Sequence, residues 1–103
     1  MKVIHTKNEL FSLIEGYKKE GKCVGFVPTM GALHNGHLSL VKACKNSCDI
    51  AVASVFVNPT QFNDPEDLKR YPRTPEKDAE LLKTAGCDLV FMPSVEEIYP
   101  EKD

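Results

Sequence analysis

No apolar run in the 103-residue chain is long enough to cross a bilayer, and the N-terminal stretch MKVIHTKNELF lacks the apolar core of a signal peptide. Cytoplasmic residence is the expectation. There is no basic cluster either: 13 Lys and Arg stand against 15 Asp and Glu, scattered along the chain, for a formal net charge of -2. A chain without a basic stripe offers no electrostatic footprint to a polyanion, so neither nucleic acid nor a membrane surface is an expected partner. The four cysteines, Cys23, Cys44, Cys48 and Cys87, contain no C-x-x-C pair. Cys44 and Cys48 are one helical turn apart, but two thiolates without a nearby His or further Cys do not close a tetrahedral zinc site, and packed thiols are the better reading. Repeats, low-complexity tracts and internal linkers are also missing. The length and the 42% hydrophobic content then fit one domain, or part of one.

What is present is an alternation of helical and strand patterns. Thr6 and Glu9 have capping-box spacing, and Leu10, Leu13, Ile14 and Tyr17 recur at helical spacing until Gly21. CVGFVP is short, apolar and rich in β-branched residues, which predicts a strand near Val24 to Val27 buried on both faces. From Gly36 the residues Leu38, Val41, Ala43, Cys44 and Cys48 give a helical stripe, followed by a second strand in DIAVASVFV, near Ile50 to Val57. The polar stretch NPTQFNDPEDLKRYPRTP is broken by four prolines and reads as a long loop with a helical turn at Glu66 to Arg70. Thr74 and Pro75 open a helix carrying Ala79, Leu82 and Ala85, and CDLVFMP is a third strand near Leu89 to Met92. Ser94 and Glu97 resemble a second capping box. Strands alternating with helices predict a parallel sheet with right-handed crossovers: an α/β, Rossmann-like, doubly wound fold in three α/β/α layers.

In such sheets ligands bind beyond the carboxyl ends of the strands, and the first strand-to-helix turn is the usual phosphate site. PTMGALHNGH falls there. On this reading Gly36 lets backbone approach a ligand closely, and free N–H groups of a helix starting near His37 point outward. His34 and His37 then add imidazole donors to the same anion. A capped or solvated histidine is the plain alternative.

The histidine stretch resembles the His-x-Gly-His signature of the nucleotidyltransferase superfamily. VPTMGALHNGH, SVFVNPTQF, EDLKRYPRT and VEEIYP are together similar, in order and spacing, to the pantothenate synthetase (pantoate–β-alanine ligase) family. The resemblance implies ATP-dependent ligation in two steps. Pantoate carboxylate attacks the α-phosphorus of ATP to give pantoyl adenylate and pyrophosphate, and β-alanine then displaces AMP. It further implies that Met30, Gly31, Ala32, Leu33, His34, Asn35, Gly36 and His37 bind ATP, with His37 and His34 the catalytic pair and His37 the proton donor. Gln61 would contact pantoate and later β-alanine, and Asn58 would border the pantoate pocket unless it is simply the turn residue before Pro59. Magnesium would arrive with ATP, and no protein metal site is expected. Asp64, Glu66 and Asp67 read instead as a solvated helix start. Phe62 is a candidate pocket wall, while Tyr71 and Arg73 read as loop-fixing residues.

Family members continue past the position matching Asp103 with a Lys-Asp segment, a Ser-Ser-Arg-Asn loop and a C-terminal lid domain, and they are usually homodimers. Residues 1–103 are therefore expected to be the N-terminal portion of the nucleotide-binding domain, with little ligase activity alone. Two alternatives stay open: another histidine-motif nucleotidyltransferase, against which NPTQF argues, and a non-catalytic α/β binding module.

Overall fold

The computed structural model describes residues 1–71 and 73–99, so the Pro72 and Pro100 of the family-like blocks lie outside it. The elements run β1 (Lys2–Ile4), α1 (Lys7–Lys19), β2 (Val24–Thr29), α2 (Asn35–Ser47), β3 (Ile50–Val55), a 3-10 turn (Pro59–Gln61), α3 (Pro65–Arg70), α4 (Pro75–Thr84), β4 (Leu89–Phe91) and α5 (Val95–Ile98). The strands form one parallel sheet in the order β1-β4-β3-β2. The α/β class and the three layers are as expected from the alternation. The strand count is not: β1 adds a fourth strand, and its three residues are too few for a period-2 pattern to register. β3 stops at Val55 rather than Val57, because Asn58 turns the chain into the 3-10 turn.

The topology explains the layering. The crossover through α1 moves across the sheet from β1 to β2, whereas those through α2 and then α3–α4 step back from β2 to β3 to β4. Right-handed crossovers running in opposite directions fall on opposite faces. The buried side chains divide accordingly. Leu10 of α1 packs with Ile4, Ile50, Val52, Leu89 and Phe91 on one face, and Val41 of α2 and Leu82 of α4 pack with Val27, Ala53 and Val90 on the other. Residues 50 and 52 of β3 face α1 while 53 faces α2, the alternation of a strand covered on both sides.

Both predicted capping boxes are half-formed. Thr6 Oγ1 accepts the Glu9 N–H at 3.3 Å and Ser94 Oγ accepts the Glu97 N–H at 3.2 Å. The glutamates turn elsewhere: Glu9 to Lys2 Nζ at 3.6 Å, and Glu97 to the Lys7 N–H at 2.8 Å, which ties α5 to the start of α1. Thr74 occupies the N-cap of α4 without a side-chain cap bond.

Below the sheet, at its amino edge, Asp88 gathers several elements. Its Oδ2 accepts the Ala51 N–H at 2.8 Å and Lys45 Nζ at 2.9 Å, and its backbone N–H returns to Ala51 O at 2.9 Å. The carboxyl ends of the strands lie at the other end. There β3 leads toward the α4 face and β4 toward the α1 face, and strands whose connections part in this way open a crevice at their carboxyl ends.

Candidate functional site: a histidine-capped turn at the carboxyl edge

Between β2 and α2 the chain must reverse within five residues. Gly31 and Ala32 do this with left-handed backbone, φ 84° and 50°. Glycine adopts it freely, whereas an L-alanine there carries about 1 kcal/mol or more of strain. The surroundings hold the turn closed. The Gly31 N–H donates to Thr29 Oγ1 at 3.2 Å, and the Thr29 hydroxyl donates to Ser54 O of β3 at 2.8 Å. The N–H groups of Ala32 and Leu33 donate to Oδ2 and Oδ1 of Asp78, each at 3.1 Å. Asp78, on α4, is 1% exposed, and the Thr74 hydroxyl donates to its Oδ1 at 3.3 Å.

The two histidines form the next layer. His34 is the N-cap of α2, and its Nδ1 accepts the Gly36 N–H at 3.0 Å. The His34 N–H donates to His37 Nδ1 at 3.2 Å, so the pair makes a reciprocal capping box with imidazoles in place of hydroxyl and carboxylate. The ring centroids are 4.2 Å apart. A ring nitrogen that accepts an N–H bond carries no proton, so each neutral imidazole is assigned its proton on Nε2. Burial, and then the neighbouring His34, lower the His37 pKa from its ordinary 6.5, while Asp78 pulls in the opposite direction.

Two expectations about this turn are refined. The helix begins at Asn35, two residues before His37, and the Gly36 N–H of its first turn is engaged by the His34 ring instead of standing free. Gly36 serves that cap: a Cβ on it would lie 2.7 Å from His34 Cε1, so glycine here leaves room for the imidazole.

An open cleft of about 620 Å³ lies along the carboxyl ends of β2 and β3. Met30, Gly31, Ala32, His34 and His37 line one side, and Asn58, Gln61 and Tyr71 the other. The structure therefore brings together His34, His37, Asn58 and Gln61, which are up to 27 positions apart in sequence. Among the other ATP-binding candidates, Leu33 packs against the core beside Val41, and Asn35 and Gly36 are exposed on the first turn of α2, outside the cleft lining. Asn58 Oδ1 accepts from Thr60 N at 3.0 Å, Thr60 Oγ1 at 2.8 Å and Tyr99 Oη at 3.2 Å, so its carbonyl end fixes the turn. Phe62 is set behind Tyr71 in an edge-on contact at 5.6 Å, and Tyr71 forms the wall. Asp64 caps α3 through the Glu66 N–H at 2.9 Å.

A second, smaller cleft of about 280 Å³ shares Met30, Gly31 and Phe56 with the first and lies where β3 and β4 diverge, with Arg73, Thr74 and the nearly buried Asp78 on its wall. Asp78 is the residue that sequence reading passes over. Its signal is available: it stands four residues before Leu82 and seven before Ala85, an acid on the apolar stripe of its helix.

A parallel α/β sheet whose carboxyl edge carries a histidine-capped turn facing polar side chains from the next strand places its cleft where ligands bind in the doubly wound class of domain. The sequence matches the pantoate-beta-alanine ligase family over residues 2–103, and the chain belongs to that family. It is 58% identical to a pantothenate synthetase of Porphyromonas gingivalis over 103 residues, which is all of this chain and 37% of that protein. It is 57% identical to a pantothenate synthetase of Bacteroides fragilis, again over its whole length and 36% of the relative. The pantoate-beta-alanine ligase of Francisella tularensis, solved in complex with beta-gamma ATP and beta-alanine, superposes with a TM-score of 0.91 at 42% identity, covering 98% of this chain and 38% of that one. Pantothenate synthetase from Thermus thermophilus superposes at 0.80 with 48% identity, covering 98% and 35%. The chain thus spans little more than a third of the length of these relatives.

Proposed function

We propose that these residues form the ATP- and pantoate-binding part of a pantoate–β-alanine ligase. The observation that carries the reading is the imidazole cap. It fixes both Nδ1 atoms on backbone N–H groups and leaves two Nε2–H donors beside a cleft that also holds Gln61.

In the first step a pantoate carboxylate oxygen bonds to the α-phosphorus of ATP, which enters as its magnesium complex, and the bond from that phosphorus to the pyrophosphate oxygen breaks. Negative charge grows on the phosphoryl oxygens, and pre-aimed donors that need no reorganisation stabilise it. His37 supplies such a donor, and its lowered pKa keeps the ring neutral near pH 7 with its proton on Nε2. His34 supplies the second. In the other step the β-alanine amine attacks the acyl carbon, the carbon–oxygen bond to AMP breaks, the amide forms and the amine proton leaves. Gln61 donates and accepts through one neutral amide, which suits a hydroxyl acid beside an anionic nucleotide. Met30 and Gly31 shape the wall between the two clefts, Ala32 lines the larger one, and Asn58 contributes to the pantoate side through its amide group. The complete ligase is read as a cytoplasmic homodimer on the strength of the family resemblance.

Calorimetric titration of the chain with magnesium ATP, then with pantoate, tests the assignment. Saturable heats for ATP that weaken in His34→Ala and His37→Ala are expected; no heat with either ligand would sink it.

A further inference from the structure

We propose that Asp78 is a positioning residue for the histidine pair: its buried carboxylate, reaching in from α4, sets the turn that aims His34 and His37. This rests on the reading of that turn as the nucleotide site. Three observations support it.

First, the carboxylate is buried, and its contacts go to the turn and to the residue that opens its own helix. One oxygen takes the Ala32 N–H, and the other takes both the Leu33 N–H and the Thr74 hydroxyl. All of these are donors. An ionised carboxylate is acceptor-only and can satisfy them together, whereas an asparagine of the same shape would have to set its NH2 group against one of the two N–H groups. The chemistry selects an acid, not merely a polar residue.

Second, the backbone it holds does not rest there by itself. Ala32 is left-handed without being a glycine, a conformation that persists only where the surroundings enforce it. The clamp bears on Ala32 and on Leu33, and Leu33 is bonded directly to the N-cap His34. A change of the turn is therefore handed on to the imidazoles one residue later.

Third, the oxygen shared by Leu33 and Thr74 joins both walls of the site. Leu33 leads into the histidines, and Thr74 closes the segment that carries Asn58, Gln61 and Tyr71. Asp78 touches no ligand on this account. It acts by fixing donors that do, and a displacement of about 1 Å in such groups is enough to change a rate or an affinity severely.

The test compares the unmodified chain with Asp78→Asn, using Asp67→Asn, an exposed carboxylate of α3, as the control. Hydrogen exchange of the Ala32 and Leu33 amides should be slow in the unmodified chain and accelerate at least about 10-fold in Asp78→Asn, while amides of β3 stay protected. The ring nitrogen signals of His34 and His37 should show Nδ1 as acceptor in the unmodified chain and move toward mixed tautomers in Asp78→Asn, a change that a brace of α4 alone would not produce. ATP affinity should fall about 10-fold or more in Asp78→Asn and stay within about two-fold in Asp67→Asn. Unchanged ring and amide signals in Asp78→Asn would overturn the proposal, and so would moved signals with unchanged ATP affinity. Should Asp78→Asn not fold, free exchange of the Ala32 and Leu33 amides in the unmodified chain is by itself sufficient to overturn it. Failure of the unmodified chain to bind ATP would count against the ligase reading, and the ring and amide signals would still decide whether Asp78 holds the pair.

Discussion

At the scale of single residues, the histidine pair does two jobs with four ring nitrogens. The Nδ1 atoms cap a helix while both rings border the cleft, so on the proposed function capping and ligand binding depend on the same protonation state. Protonating either ring removes an acceptor from the cap. The His37 pKa is lowered in the folded chain, so between its folded value and the ordinary 6.5 the unfolded chain binds more protons. The cap's contribution is therefore full above about pH 6.5 and is lost as the pH falls through the folded value. His37→Gln offers the check, because glutamine at this position can still close a capping box but does not titrate. Thermal unfolding between about pH 5 and 8 should show a steeper acid loss in the unmodified chain than in His37→Gln; parallel curves would contradict the coupling. Gly36→Ala separates the two jobs differently. The methyl group displaces the exposed His34 ring, while alanine gains up to about 1 kcal/mol of helix propensity over glycine. Stability should change by less than about 1 kcal/mol in denaturant unfolding while ATP affinity drops. In a complete family member, His37→Ala should lower pyrophosphate release in the first turnover by about 10²-fold or more, the usual cost of deleting a transition-state donor.

At the scale of elements, the same sequence signals succeed or fail for identifiable reasons. β3 and β4 were legible because strands covered on both faces must be apolar throughout, and the parallel order follows from the helices between the strands. β2 was legible as an apolar run, but the expectation that it is buried on both faces fails, because it is the edge strand and its Phe26 is 52% exposed. β1 was not, since Lys2, Val3 and Ile4 contain one buried side chain. The His34, His37 and Gln61 constellation was legible through the family resemblance, whereas the way the turn is held was not. Asp78 lies in the first turn of α4, where an acid ordinarily reads as a complement to the helix dipole. Only its place on the apolar stripe separates it from Glu76, which is exposed. Asp88 poses the same question at the opposite edge, where one carboxylate is shared between a lysine and a backbone donor. Its two partners are worth different amounts. Lys45 and Asp88 side chains are 39% and 31% exposed, so the ion pair itself should contribute less than about 1 kcal/mol, and Lys45→Met should be nearly neutral. Ala51 is 1% exposed, and Asp88→Ala leaves its N–H without that acceptor, a loss of about 1–3 kcal/mol. Equal losses for the two variants in urea unfolding would mean that the ion pair, and not the backbone bond, is what Asp88 provides.

At the scale of the whole molecule, the strand order decides where chemistry can occur. The reversal between the crossover through α1 and those through α2 and α4 places helices on both faces and opens the carboxyl edge, and the histidine turn, Gln61 and Asp78 all converge on that edge from separate elements. Binding and turnover make different demands on this arrangement. Binding an anion needs donors held in place, and the cap and the clamp lie wholly within these residues. Stabilising the transition state of adenylation needs several charged groups acting together, and the family resemblance assigns a lysine segment, a closing loop and a lid to the part of the relatives that these residues do not span. Groups that act as a unit in phosphoryl transfer are strongly non-additive, so a subset gives far less than a proportional share of the rate. The 103 residues assayed alone with magnesium ATP, pantoate and β-alanine should therefore bind ATP in calorimetry yet form AMP at well under about 1% of the rate of a complete relative. Turnover close to that of the complete relative would show that the histidine turn and Gln61 suffice for catalysis, and would move the origin of the rate from concerted charge stabilisation to the placement of substrates by this edge alone.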